Sequence, residues 1–238
     1  MEERFLDLEA AASHIHMAAN ELKHFAQRGE VPAHKRGDAF VFEHRLLDEW
    51  AQRRIVDLPA KQLTGEHDHA RAARRKVHGE DFRVASLLPP NAIAPELSAK
   101  AKGGVLRDMT DLADATGLVY DPENLFRELV AREEAASTAV GGGGAFLHAR
   151  FHDPYLYSES FIALGRARRP VFFGAEDGTG TDLFFLICCT DHALHLHVLA
   201  RLCLLAHGTA LLENLRAAPD AASMAAALKA AEDEFLAH

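Results

Sequence analysis

Cysteine is scarce in these 238 residues: there are three, Cys188, Cys189 and Cys203, all inside apolar stretches. An odd, sparse set excludes a disulfide-stapled fold and predicts reduced core thiols in a cytoplasmic protein. Adjacent Cys188 and Cys189 should point to opposite faces of a strand. Long apolar runs are missing too, and no segment is long enough to cross a bilayer. The opening MEERFLDLEAA is acidic and lacks the basic and apolar regions of a secretory signal. Basic charge is the third shortage. Against 35 aspartates and glutamates stand 26 lysines and arginines, leaving a net charge of −9 with histidine neutral. That excludes a chain dominated by a nucleic-acid surface, while a small local one stays open.

What is present reads as two domains joined by a linker. In residues 1–55, Leu8–Ile15 and Ala18–Gln27 carry helical spacing, with Leu22, Phe25 and Ala26 apolar and Gly29 as a stop. A Lys35-Arg36-Gly37-Asp38 turn followed by AFVF predicts a hairpin. The stretch EHRLLDEWAQRRI predicts a third helix that buries Leu46, Leu47 and Trp50. LDLEAAA, Gly29-Glu30-Val31-Pro32-Ala33 and Leu47-Asp48-Glu49-Trp50 together resemble the excisionase/MerR-like winged helix-turn-helix. The resemblance implies DNA contact through Lys23, His24 and Arg28 of the second helix and Lys35 and Arg36 of the wing. The charge balance opposes it: eight basic residues face ten acidic ones up to Ile55. Since DNA affinity rests on phosphate neutralisation, such a module is expected to bind DNA weakly as a monomer, or to dock protein instead.

Residues 56–80 are polar and short of apolar periodicity, and read as a linker with a helix around His69–Val77. Arg71, Arg74, Arg75 and Lys76 form a basic patch there, read as a solvated face. His67, His69 and His78 lie on a stretch too little preorganised to hold a metal.

From Asp81 to His238, helices and strands mix, which predicts an α/β domain. GGVLRDMTDLADATG is helical, with Val105, Leu106, Met109 and Leu112 inward and Gly117 as its end. DPENLFRELVAREE opens on an Asp121 cap with Pro122 at the first helical position. Strands follow at AFLH, SFIALGR, PVFFGA and TDLFFLICC, and three helices close the chain. The continuous apolar run LFFLICC reads as a central strand buried on both faces.

The chemistry gathers in REEAASTAVGGGGAFLHAR, where four glycines precede a strand that ends in His148. Glycines let backbone N–H groups approach an anion. A nearby arginine offers a fixed, always-protonated fork for phosphate oxygens. A neutral imidazole nitrogen attacks phosphorus well, and its phosphoramidate passes the group on without a metal.

Arg132, Glu133, Ser137, Thr138, Gly141, Gly143, Ala145 and His148 make the pattern R-E-x-x-x-S-T-x-x-G-x-G-x-A-x-x-H. It resembles the signature of the type 2 IIA components of the bacterial phosphotransferase system, which include mannitol/fructose and nitrogen-regulatory members. HLHVLARL resembles that family's second active-site segment, on His195, and RPVFFGAEDGTGTDLFFLI its strand pair. The resemblance spans roughly Val84 to Glu234. It implies a mixed central sheet flanked by helices and a His148 that accepts a phosphoryl group from the histidine-containing phosphocarrier protein. It also implies that His195 and Arg132 line the site. Ser137, Thr138, Gly141 and Gly143 are expected to form the phosphate pocket. Two positions depart: Leu147 stands where proline is usual, and Gly144 where isoleucine is usual.

No membrane-spanning IIC segment and no IIB-like cysteine motif occur in the sequence, which favours signalling over sugar uptake. Transfer to a separate IIB protein, a catalytically silent adaptor, and a DNA-binding regulator whose second domain only dimerises stay open. Arg150 and His152 are further candidates for the pocket. His192, His195 and His197 lack the carboxylate or thiolate partners of a local zinc set apart from Asp191, so neither metal nor cofactor is expected. Glu133 and Glu134 read as a solvated pair, and Asp177-Gly178 as a turn.

Overall fold

A computed structural model describes residues 5–57, 82–151, 153 and 155–237. The expected linker helix, the basic patch at 71–76, His67, His69, His78 and His152 lie outside the described residues.

The N-terminal elements are β1 (Phe5–Leu6), α1 (Leu8–His14), α2 (Ala19–Arg28), β2 (His34–Arg36), β3 (Ala39–Glu43) and α3 (His44–Asp57). Asp7 caps α1 by accepting from the Ala10 amide at 2.8 Å. Gly29 ends α2 with φ 72, a left-handed turn that a Cβ would strain. The three strands pair antiparallel in the order β1-β3-β2. Along α3, Leu47 is fully buried, but Leu46 faces solvent. The expectation for Leu46 is thus corrected: adjacent helix positions point about 100° apart, so only one of the two leucines meets the core.

The second part begins with two short 3-10 turns, Val84–Leu87 and Pro90–Ala92, and continues through β4 (Ile93–Leu97), α4 (Lys102–Asp114) and α5 (Pro122–Ala135). Then come β5 (Ala139–Val140), β6 (Gly144–His148), β7 (Phe161–Val171), β8 (Thr181–Cys188), α6 (His192–Gly208), α7 (Leu211–Ala217) and α8 (Ala221–Leu236). The sheet is mixed, in the order β4-β7-β8-β6-β5. β8 runs parallel to β6 and antiparallel to β7. β4 was not expected, because Pro95 interrupts it; it lies at the sheet edge, where a missing N–H is tolerated. The predicted PVFFGA strand is not separate: β7 runs unbroken to Val171, and Phe172–Ala175 leave the sheet.

Alternation along β8 sorts its side chains onto two faces. Phe184, Leu186 and Cys188 join the apolar layer beneath α4 and α5. Leu183, Phe185, Ile187 and Cys189 join the layer beneath α6, α7 and α8. The second layer continues without a break into Ala11, Leu22, Phe42, Leu47 and Ile55 of the N-terminal elements. Gly165 of β7 marks a close helix approach: a Cβ there would lie 2.6 Å from Met109 Sδ of α4. Among the described residues no single helix is long and apolar enough to cross a membrane.

Candidate functional site

β6 and β8 run parallel and end side by side, with His148 opposite Ile187. α6 starts just beyond β8, and Asp191 caps it by accepting from the Leu194 amide at 2.7 Å. The first turn of α6 therefore brings His195, and the positive end of a helix dipole, to the carboxyl end of β6. α5 approaches from the other side and contributes Arg132.

These three residues meet. The ring of His148 lies edge-on to that of His195, with centroids 5.2 Å apart. Arg132 Nε donates to His148 Nε2 at 3.0 Å. His148 Nδ1 lies 2.9 Å from the Phe146 carbonyl oxygen. A carbonyl only accepts, so the proton is assigned to Nδ1 and the lone pair to Nε2. All three side chains are buried, His148 to 1% relative exposure. Burial first, and then the Arg132 guanidinium, lower the pKa of His148 from 6.5 to about 3, against the carbonyl bond. At neutral pH the ring is therefore uncharged.

The neighbouring residues hold the backbone in place. Arg132 Nη1 donates to the Ala136 carbonyl at 2.8 Å. Glu133 is not a solvated residue: it is buried, bonds Lys102 at 2.9 Å, and accepts from the Thr138 hydroxyl at 2.7 Å. Glu134 alone of that pair is exposed. The Ser137 hydroxyl donates to the Phe173 carbonyl at 3.1 Å. The two hydroxyls expected in a phosphate pocket are thus engaged in anchoring the segment before β5.

The glycines lie elsewhere as well. Gly141 and Gly143 stand before β6, at the opposite end of the strand from His148, and Gly144 is roughly 13 Å from the ring's backbone at the usual strand rise. Gly143 has φ 86. Arg216 pins this loop, donating to the Gly142 carbonyl at 2.6 Å and to Asp182 at 2.8 Å. As a correction, these glycines form a tight turn into β6 and are too remote to cradle a group on His148. Asp177 and Gly178 do form a turn, with Asp177 accepting from Thr179.

The HALHLH segment fans out. His195 faces His148, the buried His197 lies against Phe82, and His192 faces α3. Arg150 turns towards α3, where its Nη2 donates to Glu49 at 3.4 Å.

α3 packs along α6 and reaches the site, and sequence reasoning missed this contribution. Asp48 Oδ1 lies 3.1 Å from His192 Nε2 and 2.5 Å from His14 Nε2. Burial alone would push the Asp48 carboxyl up, but hydrogen bonds from His14 and His192 hold it well below the usual carboxylate range. Gln52 and His195 line the same small cavity beside Ala149 and Cys189. No local pattern could have disclosed this, because the partners are some 140 residues apart in the chain. Lys23, His24, Arg28, Lys35 and Arg36 are all exposed, and Arg28 pairs with Glu30 at 2.7 Å.

Comparison with known proteins places the second part of the chain. The family model "Phosphoenolpyruvate-dependent sugar phosphotransferase system, EIIA 2" matches residues 86–231. A nitrogen regulatory protein of Bradyrhizobium diazoefficiens is 33% identical over 141 residues, covering 58% of this chain and 89% of that protein. The crystal structure of nitrogen regulatory protein IIA-Ntr from Neisseria meningitidis superposes with a TM-score of 0.51 at 26% identity, over 61% of this chain and 98% of that one. The Escherichia coli mannitol enzyme IIA, solved in complex with phosphorylated enzyme IIB, shares the fold at 18% identity, with a TM-score of 0.53 over 60% and 97%.

Proposed function

Because the chain belongs to the EIIA 2 family of the phosphoenolpyruvate-dependent sugar phosphotransferase system, we propose that it is a phosphohistidine carrier whose acceptor atom is His148 Nε2. The observation that carries this reading is the state of that ring. It is neutral, with its proton on Nδ1 held by the Phe146 carbonyl and its lone pair facing the Arg132 guanidinium.

In the transfer, Nε2 forms a bond to the donor's phosphorus while the donor's own N–P bond breaks and its imidazole recovers the electron pair. The Nδ1 proton stays against the carbonyl, so no base is required. Arg132 shifts from the ring nitrogen to the phosphoryl oxygens, where its charge counters theirs. Catalysis of this step is mainly positioning and electrostatics. His195 donates to a second phosphoryl oxygen, and the first turn of α6 adds its dipole.

The donor expected from the family is the histidine-containing phosphocarrier protein, and a IIB protein is a candidate acceptor. We read the role as signalling in the cytoplasm more than sugar uptake. The nitrogen regulatory relative supports this, as does the contact of α3 with the active-site helix. The N-terminal elements then act as a winged helix-turn-helix-like unit that senses the site and binds protein or, weakly, DNA.

A second reading, a silent adaptor, is favoured by the 1% exposure of His148 and by Leu147 in place of proline. One experiment separates them. The full chain is incubated with phosphorylated carrier, and the label is mapped. A carrier acquires acid-labile phosphate on His148, and His148→Ala acquires none there. An unlabelled, folded wild-type protein refutes the carrier reading and leaves the adaptor.

A further inference from the structure

A second histidine cluster lies at the seam between the N-terminal elements and α6. His14 ends α1, and His44 and Asp48 lie one turn apart on the same face of α3. One ligand atom from each gathers with the others, all within 4.8 Å. His14 Nδ1 is 3.4 Å from His44 Nε2, and His14 Nε2 is 2.5 Å from Asp48 Oδ1. From the other side, His192 Nε2 approaches the same Asp48 oxygen at 3.1 Å, and its ring stacks on His14 with centroids 4.3 Å apart. The cluster borders an open cleft of about 790 Å³.

Two imidazoles and a carboxylate form a recognisable donor set. Imidazole nitrogen and carboxylate oxygen suit zinc and its neighbours, whereas magnesium and calcium prefer all-oxygen shells. With ligands about 2.0–2.2 Å from the ion, the edges of a zinc tetrahedron measure about 3.3–3.5 Å. The 3.4 Å separation of His14 Nδ1 and His44 Nε2 lies close to that edge. A ring-to-ring distance of 3.4 Å is also long for a hydrogen bond, so hydrogen bonding alone accounts poorly for the approach of His14 to His44. The open cleft gives an ion a route in.

We propose that His14, His44 and Asp48 bind a divalent transition-metal ion of the zinc class, with His192, from the second half of the chain, orienting the Asp48 carboxylate through its own contact. The ion ties α1 to α3, and the His192–Asp48 contact links that junction to the first turn of α6, three residues before His195. This site does not depend on phosphotransfer, since none of its ligands touches His148.

The test uses the untagged full chain, stripped with chelator, re-equilibrated with Zn²⁺ and desalted. One equivalent of zinc per chain is expected to remain, and to raise the melting temperature. His14→Ala and His44→Ala should each lose it, while His207→Ala, on the exposed end of α6, should keep it. Co²⁺ loaded into the wild type should give the intense visible bands of a four-coordinate ion, a readout that needs no variant. His192→Ala should weaken retention at least tenfold. Zinc that fails to bind, survives in folded His14→Ala and His44→Ala, or binds equally in His192→Ala overturns the proposal, as does a pale six-coordinate cobalt spectrum. His148→Ala should bind zinc as the wild type does, so failure here and failure of the carrier reading are told apart.

Discussion

Two histidine clusters flank the first turn of α6, and they are built in opposite ways. Around His148 the side chains are buried, and the neighbouring charge is a guanidinium. Around His14 the imidazoles are only partly buried, and the neighbouring charge is the buried Asp48 carboxylate. Burial and a cation both disfavour the imidazolium, so the first cluster keeps a neutral, nucleophilic ring. A carboxylate beside partly solvated imidazoles makes the second cluster suited to a bound cation. Two residue sets that look alike by composition thus differ in chemistry because of the sign of one partner and the access of water.

The largest effect that can break this contrast comes from Arg132. Arg132→Lys keeps the charge but loses the planar fork. It should slow labelling of His148 about 100-fold, equivalent to about 2.7 kcal/mol in the barrier, in a single-turnover assay with phosphorylated carrier. A rate near that of the wild type would mean that the guanidinium only supports the backbone.

Next in size is the pH dependence of stability. With a folded pKa of about 3, His148 stays neutral while the unfolded ring takes up a proton below 6.5. Its contribution to stability is therefore complete above about pH 6.5 and drains away as pH falls towards 3. The slope approaches about 1.4 kcal/mol per pH unit. His148→Gln should flatten the fall in unfolding free energy between pH 6.5 and 4, measured by denaturant titration. An unchanged slope would show that the ring is charged in the folded protein.

A smaller effect concerns the remote end of β6. A Cβ on Gly143 would meet Arg216 Nη2 at 2.5 Å, and φ there is 86. Gly143→Ala should reduce stability by about 1–2 kcal/mol and leave the labelling rate intact. A large rate loss at unchanged stability would return the glycines to the phosphate site. The smallest effect is at the seam: without metal, His44→Gln should change stability by under about 0.5 kcal/mol, read as melting temperature in chelator.

The proposed carrier site was legible because its residues are local. Arg132 of α5 and His148 of β6 lie only 16 residues apart, and the α6 segment bearing His195 repeats a recognisable spacing. The apolar run of β8 likewise disclosed a strand buried on both faces. The glycines misled because a motif in sequence says nothing about which end of a strand its parts occupy. Once β6 is extended, residues 141 and 148 lie at opposite ends of the strand. Glu133 misled because a charged pair on a helix end looks solvated until Lys102 and Thr138 close over one member. The cluster at 14, 44, 48 and 192 was invisible, since only tertiary packing of α3 on α6 brings those numbers together.

Cys188 and Cys189 carry a practical consequence. Neighbours in sequence, they are sunk in apolar layers on opposite sides of β8. A thiol reagent that reaches one has crossed a different set of helices from a reagent that reaches the other. Time-resolved alkylation of the two would therefore act as a pair of independent gauges: Cys188 for loosening of α4 and α5, Cys189 for lifting of the α6 side, where phosphorylation and metal are proposed to act.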